Sequence, residues 1–363
     1  MVVALWLGIT LGILRNPDPQ STLATRPFHL GFTPFPYDIS LEAVDWTYQT
    51  LAKDSDMTVH SIDDGVPWNE ALLDAPFPKK VTDDWKMRAE RTPKNHVVYV
   101  QVNPLDLYKK GIATDLSAIP NGEWNQKRLD DPKVEKAFLN YCRRAITSFH
   151  PSYFGLAIES NLLLTNSPNS WPAYINLHQY IYRELKNRYP SLPVFSTFVA
   201  PALLQGYAPE HDVPKQRKGL HQLLPYCDAY AISLYPYMSV YTAEQVPAGM
   251  FDELFGLSEG KPIVISETGY PAAEFSINNG AIPFHGTPAK QASFIGRLLA
   301  EAQRRKIMFI NNFVLRDYEA LGIKVGRTDI AAVWKNDGLY DANGLPRPAL
   351  GLWKWALARP YRP

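Results

Sequence analysis

Short runs of β-branched and aromatic residues alternate along this chain with longer segments in which apolar side chains recur at helical spacing. The apolar runs are His29 to Thr33, Met57 to Ile62, His96 to Val102, Tyr153 to Ile158, Val194 to Phe198, Ala229 to Leu234, Pro262 to Ser266 and Met308 to Leu315. Ile263 to Ile265, within the seventh, is short, β-branched and without polar interruption, as a strand covered on both faces of a parallel sheet should be. Between them, Leu41 to Ala52, Pro132 to Phe149, Pro172 to Tyr189 and Pro288 to Arg305 predict crossover helices. In Pro172 to Tyr189, for example, Ile175, Leu177, Ile181, Tyr182 and Leu185 form the apolar stripe, and Arg183, Lys186 and Arg188 the solvated face. Eight strands with crossover helices predict an α/β fold, a (β/α)8 TIM barrel in a single domain over residues 23–363. Pro and Gly fall mainly in the connections, and neither an internal repeat nor a linker interrupts the pattern.

The apolar stretch Val2 to Leu14 is too short to span a bilayer comfortably and predicts a signal peptide or N-terminal leader over residues 1–22, hence a secreted or periplasmic protein. The missing Lys or Arg before it, and the missing small-x-small cleavage site before Arg15, leave an uncleaved anchor or a misplaced start codon open. No integral membrane span is otherwise expected. With 37 basic against 36 acidic residues the chain carries no footprint for nucleic acid or an anionic membrane. Its two cysteines, Cys142 and Cys227, lie in widely separated segments without metal-ligand spacing, and two buried thiols are expected rather than a disulfide. A monomer is expected.

Chemistry enters where polar groups end the apolar runs, because the carboxyl-end rim of a barrel carries the reacting groups. Glu267 ends Pro262-Ile-Val-Ile-Ser-Glu267, and Glu159 ends Tyr153-Phe-Gly-Leu-Ala-Ile-Glu159. A bland account of Glu267 is an interior ion pair with an Arg; of Glu159, a carboxylate at a helix N-terminus. Facing one another across the mouth, the two carboxyls would instead form the pair that cleaves glycosides. Asp63, Asp64 and Trp68 follow the second run, Gln101, Asn103 and Asp106 the third, Ser233, Tyr235 and Tyr237 the sixth, and Arg316 and Asp317 the eighth. Asp63 or Asp64 would bind sugar hydroxyls or cap the next helix. His60 beside two aspartates is a weak metal signal, and no metal and no cofactor are expected. Trp68, Trp124, Trp171 and Trp334 would stack on sugar rings or pack the interior.

Ile263-Val-Ile-Ser-Glu-Thr-Gly-Tyr-Pro271, Ala231-Ile-Ser-Leu-Tyr-Pro-Tyr237 and the stretch Trp334 to Leu350 resemble the seventh strand, the sixth strand and the segment after the eighth in clan A retaining glycoside hydrolases, with endo-β-1,4-galactanases and plant-type β-1,3-glucanases the nearest likenesses. The resemblance implies a glycoside hydrolase acting on a β-linked polysaccharide or oligosaccharide by double displacement. Glu267 would be the nucleophile, Tyr235 its orienting partner and Glu159 the acid/base, with Asp63, Asp64, Trp68, Asn103, Asn161, Tyr237 and Trp334 contacting substrate. Two departures stand out. The Asn that clan members place before the acid/base is Ile158 here, with Asn161 two residues after Glu159 instead. The eighth run lacks the usual sugar-platform Trp, a place Trp334 would take from the following loop. A catalytically silent barrel that binds glycan, or a transglycosidase, remains the alternative.

Overall fold

The computed structural model describes residues 24–120, 123–243, 247–278, 280–305, 307–325 and 329–363. The expected leader therefore lies outside the described residues. The sheet strands are β1 (His29–Phe32), β2 (Met57–Ile62), β3 (Val97–Val102), β4 (Tyr153–Gly155), β5 (Val194–Phe195), β6 (Thr197–Val199), β7 (Tyr230–Leu234), β8 (Ile263–Thr268) and β11 (Phe309–Asn312), with β9 (Glu274–Ile277) and β10 (Ile282–His285) forming a separate hairpin. Their parallel order is β5-β4-β3-β2-β1-β11-β8-β7-β6. Only Ser196 separates β5 from β6, so the two edges of this sheet are halves of one strand and the sheet is a nearly closed barrel. The chain is a TIM barrel with eight strand positions, as the alternation predicts.

Side chains on the strands alternate between the barrel interior and the helical layer. Met57, Val59, Tyr99, Phe195, Ala231, Val264 and Phe309 fill the floor of the barrel with Cys227 and Ala229. The opposite faces, including Phe32, Ile62, Val100, Ile232 and Ile265, join the larger core under the helices. The helix Pro132–Phe149 shows how sequence sets that layer. Asp131 caps it by accepting from the Lys133 amide, Pro132 begins it, and Val134, Phe138, Tyr141, Cys142, Ala145, Ile146 and Phe149 are buried along one side. Both cysteines are buried thiols.

Three runs end two or more residues from their expected bounds. β4 stops at Gly155, where the chain bends away while the Leu156 amide still donates to the Phe195 carbonyl and the Ala157 carbonyl accepts from the Thr197 amide of the fifth strand. β11 stops at Asn312 rather than Leu315. β8 continues through Glu267 to Thr268 and carries a bulge: Ile265 pairs with Ile232, yet Glu267 pairs with the very next residue, Ser233. A matching shift faces β11. Strict alternation from Val264 would direct Ser266 inward and Glu267 outward; two residues opposite one return Glu267 to the inward row.

No helix among the described residues is long and apolar enough to cross a membrane.

Candidate active site

Inward positions at the upper ends of β3, β7 and β8 converge on Glu267, which is only 8% exposed. The Gln101 amide donates to its Oε1 at 2.6 Å, and the Tyr235 hydroxyl donates to Oε2 at 3.2 Å. Gln101 is itself held, donating to the Ser61 hydroxyl at 2.6 Å and accepting from the Tyr99 hydroxyl at 2.9 Å. Gly155 makes this arrangement sterically feasible. A Cβ there would lie 2.6 Å from the Tyr99 hydroxyl and 2.8 Å from the Gln101 Cβ.

Glu159 approaches from the bend after β4. Its backbone is left-handed, with φ of 54°, an uncommon and costly state for a non-glycine residue, and the Thr197 hydroxyl holds its amide at 2.8 Å. The carboxyl is half-buried and faces Lys109, Asp63, the Ser233 hydroxyl and Glu267. Ser233 Oγ is buried there without a hydrogen bond of ordinary geometry.

Electrostatics couple the two glutamates. Removal from water raises both carboxyls above the ordinary range, and for Glu267 the charge of Glu159 raises it further while the donors Gln101 and Tyr235 oppose the rise. For Glu159 the Lys109 ammonium opposes it and Asp63 adds to it. Two such groups titrate as a unit that resists carrying both charges. Burial and the Glu267 charge also hold the Tyr235 phenol well above its usual value, so it remains a donor.

The other residues that sequence nominates divide sharply. Asp63 lies at the mouth, accepting from the Asn103 amide at 2.6 Å and lying 3.6 Å from the Lys109 ammonium. Asn103, only 2% exposed, thus positions Asp63, its own oxygen accepting from the Leu105 amide. Asp64 is exposed beside it. Trp334 stands edge-on to Tyr235 and Phe313, with ring centroids 6.1 and 5.8 Å away. Tyr237 is fully buried, donating to Asp337 Oδ2 at 2.8 Å and lying 3.0 Å from the Val333 carbonyl, so its hydroxyl is spent on the loop after β11.

Three expectations need correction. Trp68 has no exposed surface: it packs between Trp124 and Phe138 and donates to the Ala113 carbonyl, so no sugar reaches it. Trp124 and Trp171 are core residues as well. Asn161 is sealed, bonding the Val199 amide and the Gln216 side chain, which ties the bend to β6 and leaves no amide for a sugar hydroxyl. Asp317 is paired through both oxygens with Arg347, and Arg316 stacks on Tyr37, so neither enters the mouth. His60 points outward to Thr92 and Phe149, and no metal-binding cluster occurs among the described residues.

Lys109 is the residue that sequence reasoning missed. Within Tyr108-Lys-Lys-Gly111 it looks like one more solvated charge, yet it is 3% exposed. Only its left-handed turn, which no composition signals, folds it inward.

No family model and no curated protein matches this sequence. Solved structures do. The GH53 catalytic domain of Ignisphaera aggregans aligns with a TM-score of 0.57 over 86% of this chain and 88% of its own, at 17% identity. GH5_18 from Streptomyces cattleya, in complex with GlcNAc, gives 0.64 over 93% and 83%, at 14% identity. The exo-β-1,4-mannosidase Op5Man5 from Opitutaceae bacterium strain TAV5 gives 0.61 over 92% of this chain and 60% of that one, at 12% identity. The chain therefore has the TIM-barrel fold of clan A glycoside hydrolases, and its structural neighbours are enzymes of that kind.

Proposed function

We propose that the protein is a retaining glycoside hydrolase acting on a β-linked glycan. Glu267 attacks the anomeric carbon while Glu159 gives its proton to the leaving oxygen, which breaks the glycosidic bond and leaves a glycosyl ester on Glu267. Glu159, now a carboxylate, takes a proton from water as that water attacks the same carbon and releases Glu267. The observation that carries this reading is the bulged end of β8, which turns Glu267 into the barrel, where Gln101 and Tyr235 hold its two oxygens opposite Glu159. Tyr235 aligns the nucleophile and favours its anionic form. Three carboxyls at the mouth, Glu159, Glu267 and Asp63, outnumber the Lys109 ammonium, which favours a neutral glycan.

The test is hydrolysis of a panel led by β-mannosides, because one structural neighbour is a β-1,4-mannosidase, followed by β-glucans and β-galactans. Proton NMR of the first-formed product should show the anomeric configuration of the substrate. Glu267→Gln and Glu159→Gln should both lose activity on whichever glycan is cleaved. Inverted product, or an active Glu267→Gln variant, refutes the assignment. A wild type that binds glycans without cleaving any would favour a silent binding barrel, and transfer to added sugar acceptors would favour a transglycosidase.

A further inference from the structure

The loop after β3 is built around one side chain. Leu107, Tyr108 and Lys110 are exposed, and Lys109 between them is buried. Its φ of 53° is a left-handed value that a lysine adopts at a cost. The loop is fastened to hold that conformation: the Asp106 amide donates to the Gly111 carbonyl, the Lys109 amide to the Asp106 carbonyl, and the Lys110 amide to the Asp106 side chain. Asn166 then donates to the Tyr108 carbonyl at 2.8 Å, joining this loop to the helix Leu163–Asn166 just beyond Glu159. An ammonium withdrawn from water is unfavourable unless a counter-charge receives it. Asp63 does so at 3.6 Å, and Asn103 fixes Asp63 in turn.

We propose that Lys109 is a positioning residue for the acid/base Glu159, its ammonium shared between Asp63 and the carboxylate that Glu159 becomes once its proton has left. This rests on the glycosidase reading and adds to it a residue that neither the carboxylate pair nor the fold requires. In the first step Glu159 gains negative charge as its proton passes to the leaving oxygen, and Lys109 stabilises that charge. In the second step the same ammonium holds Glu159 as the base that receives the proton of water. The groups that face Glu159 are Lys109 after β3, Asp63 after β2, Ser233 and Tyr235 on and after β7, and Glu267 on β8, and Asp64 lies behind Asp63. Lys109 is the one cation among these groups, and it acts on Glu159 against burial and Asp63.

Carbon-13 titration of carboxyl-labelled glutamate, with Glu159→Gln assigning the resonance, reads this without any substrate. In Lys109→Met the Glu159 midpoint should rise by about one pH unit or more, and Lys109→Arg should restore most of the difference. On an aryl β-glycoside whose leaving group departs without a proton, Lys109→Met should lower kcat by about tenfold or more and lower KM with it, because the glycosyl ester accumulates. Lys109→Arg should recover kcat. An unmoved Glu159 midpoint in a Lys109→Met protein that melts as a folded domain overturns the proposal, as does a rise in KM alone, which would make Lys109 a packing element of the loop. If Glu267→Gln stays active, the glycosidase reading fails by itself, and the titration still decides whether Lys109 governs Glu159.

Discussion

At the scale of single residues, the candidate nucleophile on β8 depends on a relay that starts across the barrel on β4. Gly155 leaves room for the Tyr99 hydroxyl, Tyr99 fixes Gln101, and Gln101 holds Glu267. Gly155→Ala should therefore destabilise the fold by about 1–3 kcal/mol, the usual cost of overpacking. Activity of the folded fraction should also fall, measurable as a lower kcat beside a lower melting temperature. Tyr235→Phe removes one of the two donors to Glu267 without changing shape. It should cut kcat by about a hundredfold while leaving the melting temperature close to that of the wild type. An unaltered kcat in Tyr235→Phe would deny the hydroxyl its orienting part.

Element by element, the buried Asp317–Arg347 pair fastens the segment after β11 to the chain that returns toward the helix Pro348–Leu357. Arg347 also donates to the carbonyls of Asn336 and Gly338. Arg347→Met leaves the Asp317 carboxylate buried and unpaired, and urea denaturation at neutral pH should show a loss of about 3–5 kcal/mol. Burial already pushes Asp317 up to about 6 despite that partner, so the loss should shrink in mild acid, where the lone carboxyl protonates.

Elements and site residues differ in how far the sequence discloses them. The helices Pro132–Phe149 and Pro288–Arg305 end at their expected residues because a proline start and an apolar stripe are local signals. Ser233 and Tyr235 could be placed on one face of β7 by period two alone. The bulge in β8 could not, because Ile-Val-Ile-Ser-Glu contains nothing that marks an extra residue; it exists only in pairing with Ser233 and Asn312. A tryptophan at a rim has the same local sequence whether it faces solvent or core, which is why nothing local marks Trp68 as a core residue. Asn161 and Lys109 are both buried for a related reason that the sequence does not show: the surroundings that bury a polar group come from distant segments.

Over the whole molecule, pH acts on stability through groups far from the mouth. Burial holds His60 near 3 and His178 near 4, so both remain neutral in the folded protein. The unfolded chain protonates them below about 6.5, and stability that is fully present above that value is lost as pH falls toward their folded values. Each adds a slope of up to about 1.4 kcal/mol per pH unit across this window. Urea titrations between pH 6.5 and 4.5 should show the loss, and His60→Asn should flatten it by about one proton. The raised Glu159 and Glu267 carboxyls act with the opposite sign, since the folded state keeps a proton that the unfolded chain gives up. The same rise should place the bell of kcat/KM above the range of ordinary carboxyls.

The rim itself divides into halves. After β7, β8 and β11, Tyr237 reaches Asp337 and Val333, Ala272 bonds Asn336, His285 bonds Thr242, and the Gln291 amide reaches the carbonyls of Tyr270 and Gly338. Across the mouth, Asp63, Asn103, Lys109 and Asn166 interlock the connections that follow β2, β3 and β4. A chimaera that imported one of these loops from another barrel would break contacts that its neighbours need, so substrate range in this scaffold should be transferable only in blocks of three loops at a time.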